Sequence, residues 1–546
     1  MSGTRAPLLV INGLHIEALG RDGSWSEIVR GVDLTLHRGE IMGLIGESGA
    51  GKSTIGLAAM GYARAGCQIT SGSIMFDGTD LARANEETKR RLRGARIAYV
   101  AQSAAAAFNP AHTLIRQYAE APIRHGIKSR QEAYADATTL YRRMSLPEPE
   151  TIGFRYPHQV SGGQLQRAMT AMAMACRPDL IVFDEPTTAL DVTTQIEVLS
   201  SIRDIVRQFH TAALYITHDL AVVAQMADRI KVLRHGREVE EDTTARMLAA
   251  PREAYTRTLW ATRALGKPPA ALVAAKAVPV LTVEHVSAAY GHKPVLQDVG
   301  LALHRGRTLA IVGESGSGKS TLARVITGLL PPRSGRVLLE GDALPPRLAQ
   351  RSRGQRQHIQ MIYQMADTAL NPRQTIGKIL GRPMLFYGLA RRGDLAARVA
   401  HLLETIGLPP DYTGRRPAEL SGGQKQRIGI ARALAASPSV VICDEVTSAL
   451  DRVVAEGILK LLLDLQKTAG MSYLFITHDL KTVEAFADDV VVMRGGQVVD
   501  HGRKEDVFSP PLQPYTETLL DSTPEMRSDW LDEVLARRRP NAAQSA

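Results

Sequence analysis

The sequence predicts an α/β protein built from two tandem copies of one module, and three observations predict it. First, long strings repeat at a nearly constant offset: GESGAGKST (46–54) returns as GESGSGKST (313–321), SGGQLQR (161–167) as SGGQKQR (421–427), and ITHDL (216–220) as ITHDL (476–480). Lys52 recurs 267 residues later as Lys319, whereas Ser161, Glu185 and His218 recur 260 residues later, so the copies differ by small loop changes. Second, short apolar runs ending on Gly or Asp alternate with longer helical patterns, as buried parallel strands do. Third, G-x-x-x-x-G-K-S follows such a run and precedes a helical pattern in both copies, the context that makes this string a phosphate-binding loop.

Composition agrees with that class. At roughly 100–200 residues per domain, 546 residues exceed one core, and 44% hydrophobic with 22% charged residues suits a folded chain rather than wholesale disorder. Lys and Arg number 66 against 56 Asp and Glu, a net charge of +10; with no run of five like charges, the surplus reads as a solvated surface. Cys67, Cys176 and Cys443 lie too far apart for a disulfide framework, a zinc site or an iron–sulfur cluster, and point to a reducing compartment. No stretch approaches the roughly 18 apolar residues of a spanning helix. The opening MSGTRAPLLVINGLHIEALG lacks a signal peptide's layout, so the chain is expected to be neither secreted nor membrane-spanning.

Taken in order, IMGLIG (41–46), LIVFD (180–184) and ALYITH (213–218) are the expected strands of the first copy. TLAIVG (308–313), VVICD (440–444) and YLFITH (473–478) are those of the second. Ligands of such sheets sit beyond the carboxyl ends of the strands, where the motifs fall. Between the copies, ATRALGKPPAALVAAKAVP (261–279) is rich in Ala and Pro and reads as a linker, semi-extended through Pro268, Pro269 and Pro279. The domains are accordingly set at 1–260 and 280–546, the second with a C-terminal extension.

The first loop offers Gly46, Gly49, Ala50, Gly51, Lys52, Ser53 and Thr54 as nucleotide ligands, and the second Gly313, Gly316, Ser317, Gly318, Lys319, Ser320 and Thr321. The glycines let successive N–H groups and the next helix's N-terminus face phosphates; Lys52 and Lys319 would neutralise β/γ-phosphate oxygens, and the Ser53 and Ser320 hydroxyls would ligate Mg²⁺. Asp184-Glu185 and Asp444-Glu445 each end an apolar strand. The aspartates suit Mg²⁺ held through water, and the glutamates suit polarising an attacking water. The competing reading, an acidic N-cap, is outweighed by the recurrence of each pair after a strand in both copies. His218 and His478, in THD, are expected to contact the γ-phosphate.

These residues resemble the ATP-binding cassette (ABC) ATPases, over nearly the whole chain. The most specific element is SGGQ, Ser161-Gly162-Gly163-Gln164 and Ser421-Gly422-Gly423-Gln424, which other phosphate-loop ATPases lack. The resemblance implies tandem modules, each a RecA-like α/β core with an antiparallel β subdomain and a helical subdomain. It also implies two intramolecular composite ATP sites, Lys52 facing Ser421 and Lys319 facing Ser161. Gln102 and Gln364 match the Q-loop glutamine, a Mg²⁺ ligand, and Asp191 and Asp451 match the D-loop. Glu185, His218, Glu445 and His478 match the catalytic pair of each site, so both sites are expected to hydrolyse ATP. Val160 and Val446 depart from the usual leucine and proline without removing a catalytic group. Tyr290 is placed to stack on adenine in the second copy, where the first has Ala18, with Trp25 nearby; weaker nucleotide binding is therefore expected at the first loop.

The Q-loops AQSAAAAFNP (101–110) and YQMADTALNP (363–372), and the closing strings PREAYTRTL (251–259) and PLQPYTETLL (511–520), are similar to those of the dipeptide/oligopeptide/nickel importer group in its fused form. That resemblance implies an ATPase at the cytoplasmic face of the inner membrane, coupled through coupling helices to two separate transmembrane permease subunits. It further implies a periplasmic or lipid-anchored solute-binding protein, with no nucleic acid partner. The cysteine cluster frequent in that group is missing from 240–280, so no iron–sulfur centre is carried over. A soluble twin-ABC ATPase acting on ribosomes or nucleic acid is the alternative, but its long charged linker, zinc cysteines or sustained heptads are not present.

Overall fold

The computed structural model describes residues 6–20, 23–187, 190–261, 267, 278–448 and 450–542. Most of the expected linker, and Thr188, Ala189 and Ala449 beside the D-loops, lie outside the described residues. Contacts divide the chain into two units: Met1–Thr262 with Pro524–Ala546, and Arg263–Thr523.

The first unit is organised on a six-stranded sheet in the order Arg237–Thr243, Arg229–Arg234, Ile41–Gly46, Ala212–Ile216, Leu180–Asp184, Ile97–Val100. Its pairings are parallel except at the antiparallel edge formed by Arg237–Thr243. Ile41–Gly46, Leu180–Asp184 and Ala212–Ile216 are buried at every position, because helices cover one face and helix Lys52–Ala58 with the antiparallel sheet covers the other, so every side chain must be apolar or internally paired. A second, wholly antiparallel sheet orders Trp25–His37, Pro7–Leu19, Cys67–Phe76 and Thr79–Asp80. Helices Leu114–Arg124 and Arg130–Arg143 form the helical part, with the Tyr118 and Tyr141 rings edge to face at 5.8 Å.

The second unit repeats the plan. Its six strands run Ile359–Ile362, Val440–Asp444, Ser472–Ile476, Thr308–Val312, Asp489–Arg494, Gln497–Arg503, and its antiparallel sheet runs Lys293–Leu303, Leu281–Tyr290, Ser334–Leu339, Asp342–Ala343. Helices Ile376–Phe386 and Leu395–Thr405 make its helical part. In each unit the α/β core, antiparallel sheet and helical part match the fold the resemblance implies. From the linker stretch, the Lys267 ammonium enters the second unit's core and donates to Asp488 Oδ2 at 2.5 Å and Gln466 Oε1 at 2.6 Å.

Two boundaries differ from the sequence reading for physical reasons. The strands before the histidines stop at Ile216 and Ile476, because Thr217 and Thr477 turn the chain: each hydroxyl accepts from the N–H of the following Asp219 or Asp479. The end of the C-terminal extension belongs to the first unit. Trp530, Leu531 and Val534 are buried in that unit's core, Gln225 accepts from Leu531 N–H at 3.0 Å, and Arg203 pairs with Asp532 at 2.5 Å.

Candidate functional site

Each phosphate loop begins with a glycine that no other residue can replace. Gly46 and Gly313 have φ of 149° and 145°, and a Cβ there would stand 2.2 Å from the Leu233 carbonyl oxygen or 2.1 Å from that of Met493. The loops wrap around their own lysines, which are only 7% and 6% exposed. Lys52 Nζ donates to the Gly46 and Glu47 carbonyls at 2.7 and 2.9 Å, and Lys319 Nζ to those of Gly313 and Glu314, both at 2.7 Å. Gly51 and Gly318, at φ 93° and 104°, open the helices Lys52–Ala58 and Lys319–Ile326. Gly49 and Gly316 face open space, while Ala50 and Ser317 pack beneath the loops. Thr54 and Thr321 continue the two helices.

The strand ends bring the acidic residues to these loops. Ser53 Oγ donates to Asp184 Oδ1 at 2.8 Å, and Ser320 Oγ to Asp444 Oδ1 at 3.0 Å. Burial raises the Asp444 carboxyl above its ordinary pKa. A hydroxyl beside a mostly buried carboxylate is an all-oxygen set of the sort that suits Mg²⁺, which binds through one or two carboxylates plus phosphate oxygens.

Next along the chain, Glu185 and Glu445 have φ of 50° and 49°, a left-handed backbone that costs a glutamate on the order of 1–3 kcal/mol. Their N–H groups donate to Ile216 O and Ile476 O at 2.9 and 3.0 Å, which pins this conformation and turns the carboxylates out of the sheet. Gln102 Nε2 donates to Glu185 Oε2 at 2.9 Å, and Gln364 Nε2 to Glu445 Oε2 at 2.7 Å. The other oxygen faces histidine: His218 Nδ1 is 3.0 Å from Glu185 Oε1, and His478 Nδ1 is 3.6 Å from Glu445 Oε1. Burial opposes charge on both imidazoles, but the facing carboxylates outweigh it and raise both histidines. Burial likewise opposes charge on Glu445, yet His478 and Lys319 hold its carboxyl below the ordinary range.

SGGQ folds as an S-x-x-Q capping box. Ser161 N–H donates to Gln164 Oε1 at 3.0 Å while Gln164 N–H donates to Ser161 Oγ at 3.3 Å, and Ser421 with Gln424 repeats this. The two glycines have different reasons. A Cβ at Gly162 or Gly422 meets nothing within 4 Å, whereas one at Gly163 or Gly423 would lie 2.4 Å from Thr194 Cγ2 or 2.5 Å from Val454 Cγ1. Gly163→Ala is therefore expected to cost about 1–3 kcal/mol by prising helix Gly162–Ala173 off Val192–Gln208, and Gly162→Ala to leave the fold intact; denaturant unfolding of the two variants checks this. Asp191 and Asp451 cap the helices that receive those glycines, accepting from Thr194 N–H at 2.9 Å and Val454 N–H at 3.0 Å.

Strand register places Ala18 opposite Ser26 where Tyr290 stands opposite Lys293, so Ala18 occupies the tyrosine's position in the first unit. Trp25 sits one step further, paired with Leu19 and exposed. Tyr290 is exposed too, its hydroxyl accepting from Arg324 Nη1 at 2.8 Å.

Sequence reasoning missed Tyr99, whose hydroxyl donates to Asp184 Oδ2 at 2.6 Å. Burial and that carboxylate push its own ionisation well above the ordinary range. Its position three residues before Gln102 is the available signal; the second copy carries Met361 there, so this contact is not repeated.

A nucleoside-triphosphate loop, an acidic pair and a histidine at the strand ends, and an SGGQ-capped helix, all present twice, define a twin phosphate-loop ATPase of the cassette class. The chain belongs to the ABC transporter family: the family model matches residues 29–188 and 296–448. A model of the oligopeptide/dipeptide transporter C-terminal region matches residues 499–546. The chain is 38% identical over 559 residues to the glutathione import ATP-binding protein GsiA of Salmonella choleraesuis (strain SC-B67), covering 95% of this chain and 89% of that protein. Identity to the protein of the same name in Escherichia coli (strain K12) is 38% over 558 residues, with the same coverage. It is thus an ATP-binding, ATP-hydrolysing subunit of an ABC transporter, in the dipeptide/oligopeptide/nickel group with both ATPase domains in one chain. Subunits of this kind work with transmembrane permease components. Among the described residues no helix is long and apolar enough to cross a membrane.

Proposed function

We propose that this importer ATPase uses both phosphate loops to drive uptake of a small peptide-like solute through separate permeases. The observation that carries the reading is the completeness of both copies: Lys52, Ser53, Asp184, Glu185 and His218 in one, Lys319, Ser320, Asp444, Glu445 and His478 in the other. The peptide-like solute is supported by the match of residues 499–546 to the oligopeptide/dipeptide transporter region, and by glutathione import in the names of the relatives.

In this reading each loop lysine leaves its own carbonyls for the β/γ-phosphate oxygens. Ser53, Gln102 and Asp184, and Ser320, Gln364 and Asp444, would hold Mg²⁺, which when bound neutralises phosphate charge. Glu185 and Glu445 polarise the attacking water. One oxygen of each carboxylate accepts from a Q-loop amide and the other faces histidine; a histidine that turns to the γ-phosphate releases its oxygen for the water. His218 and His478, raised toward the charged form, suit that anionic contact. The ATPase works at the cytoplasmic face of the inner membrane, where coupling helices of two permeases receive its motion and a periplasmic or lipid-anchored protein presents the solute.

The test is to purify the chain with its permeases and binding protein and identify the retained solute by mass spectrometry. A short peptide or γ-glutamyl peptide is expected; ATPase activity stimulated by ribosomes or DNA, with no permease co-purifying, would overturn the reading. Tyr290→Ala should weaken nucleotide binding at the second loop by about 1–3 kcal/mol, and equal affinities at the two loops of the unaltered chain would contradict the Ala18/Tyr290 asymmetry.

A further inference from the structure

The closing strings PREAYTRTL and PLQPYTETLL, which identify the subfamily, each send a tyrosine back to a phosphate loop. In the second unit Tyr515 lies near the start of helix Pro514–Asp521 and is 4% exposed. Its hydroxyl accepts from the N–H of Glu314, the second residue of the loop, at 3.2 Å. The Arg494 guanidinium lies 4.8 Å from its ring centre. Arg494 ends the strand Asp489–Arg494 and follows Met493, whose carbonyl is the atom that forbids a Cβ at Gly313. Strand end, tyrosine and the loop's first turn therefore converge on the peptide between Gly313 and Glu314.

The helix that carries Tyr515 is fixed independently of the loop. Gln513 Oε1 accepts from the N–H groups of Tyr515 and Thr516 at 2.7 and 3.1 Å, and Thr516 Oγ1 donates to Asp500 Oδ2 at 2.7 Å. In the first unit Tyr255 takes the matching place, with Arg234 4.6 Å from its ring centre. Its buried hydroxyl faces Glu47 without a hydrogen-bond partner of ordinary geometry.

We infer that Tyr515 is a positioning residue of the second ATP site: it turns the Glu314 N–H away from the phosphates and so fixes the arc of the following loop N–H groups. The inference rests on the loops binding ATP as proposed above. Tyr255 is the matching group of the first site, its hydroxyl facing Glu47, the second residue of that loop. Because the tyrosine acts on the loop backbone and touches no reacting atom, its removal shifts nucleotide affinity rather than the chemical step.

Tyr515→Phe keeps the ring and the arginine contact and deletes only the hydroxyl. In a Lys52→Ala background, which silences the first loop, titration with a fluorescent ATP analogue and Mg²⁺ should show Kd at the second loop rise by about 2- to 10-fold, the range of one neutral hydrogen bond, with saturating turnover little changed. Thr516→Val, which loosens the same helix and leaves the hydroxyl on Glu314, should lower thermal stability without moving Kd. An unchanged Kd in Tyr515→Phe would overturn the inference, as would an equal shift in Thr516→Val, because the tyrosine would then serve packing alone. If the unaltered chain bound no ATP analogue at either loop, the assignment of the loops themselves would fall and the tyrosine's role with it.

Discussion

Glu185→Gln combined with Glu445→Gln is expected to lower ATP turnover by about 10²–10⁴-fold while nucleotide binding persists, the range a positioned general base contributes. Glutamine keeps the length of the side chain and an oxygen that can accept from Gln102 or Gln364, so the donor contacts at 2.9 and 2.7 Å survive. What disappears is the anionic oxygen that faces histidine at 3.0 Å in the first site and 3.6 Å in the second. The carboxylate also outweighs burial at His218 and His478, so both imidazoles should fall back toward neutrality in the double variant. The left-handed backbone at 185 and 445 is held by main-chain bonds to Ile216 and Ile476, and glutamine should inherit it. Phosphate release and filter-bound nucleotide, measured on one preparation, separate turnover from binding; robust hydrolysis with both substitutions would remove the glutamates as bases.

The strands that position these residues were legible because a parallel strand buried on both faces has to read as an unbroken apolar run. LIVFD and VVICD coincide with Leu180–Asp184 and Val440–Asp444 for that reason. The repeat made the sheet order of one unit a forecast for the other. Legibility ended where a feature depends on what lies across the fold. Nothing local to Asp-Glu announces a positive φ, which arises because the Glu185 N–H must reach Ile216 O on the neighbouring strand. Tyr99 reads as one more strand residue until the adjacent strand sets Asp184 beside it. The sequence reading set the C-terminal extension with the second domain, because the pattern of Trp530–Ala542 does not say which core its apolar residues complete.

That last segment carries the largest expected effect on stability. Trp530→Ala should destabilise the first unit by about 3–5 kcal/mol, the usual cost of emptying a buried aromatic site, although residue 530 follows the whole second ATPase in sequence. Trp530 is 2% exposed and packs in one cluster with Met226, Ile202 and Leu259. The stretch before it is held by the Gln225 side chain, whose amide donates to the Glu525 carbonyl at 3.0 Å and to that of Arg527, while its oxygen accepts from Leu531 N–H. Gln225→Met keeps the volume and removes all three bonds, so it should cost about 1–3 kcal/mol through unsatisfied backbone groups. Hydrogen exchange read by mass spectrometry is the measurement: protection should fall in Val192–Gln208 and Leu220–Met226, which face the segment, and stay unchanged in Arg452–Ala469 of the second unit. Equal loss in both units, or none, would contradict the assignment of Pro524–Ala546 to the first. The same packing sets an order of events in synthesis. The first unit's core lacks Trp530, Leu531 and Val534 until the second ATPase has been synthesised, so residues 1–262 made alone should show the reduced protection of Trp530→Ala in those two helices.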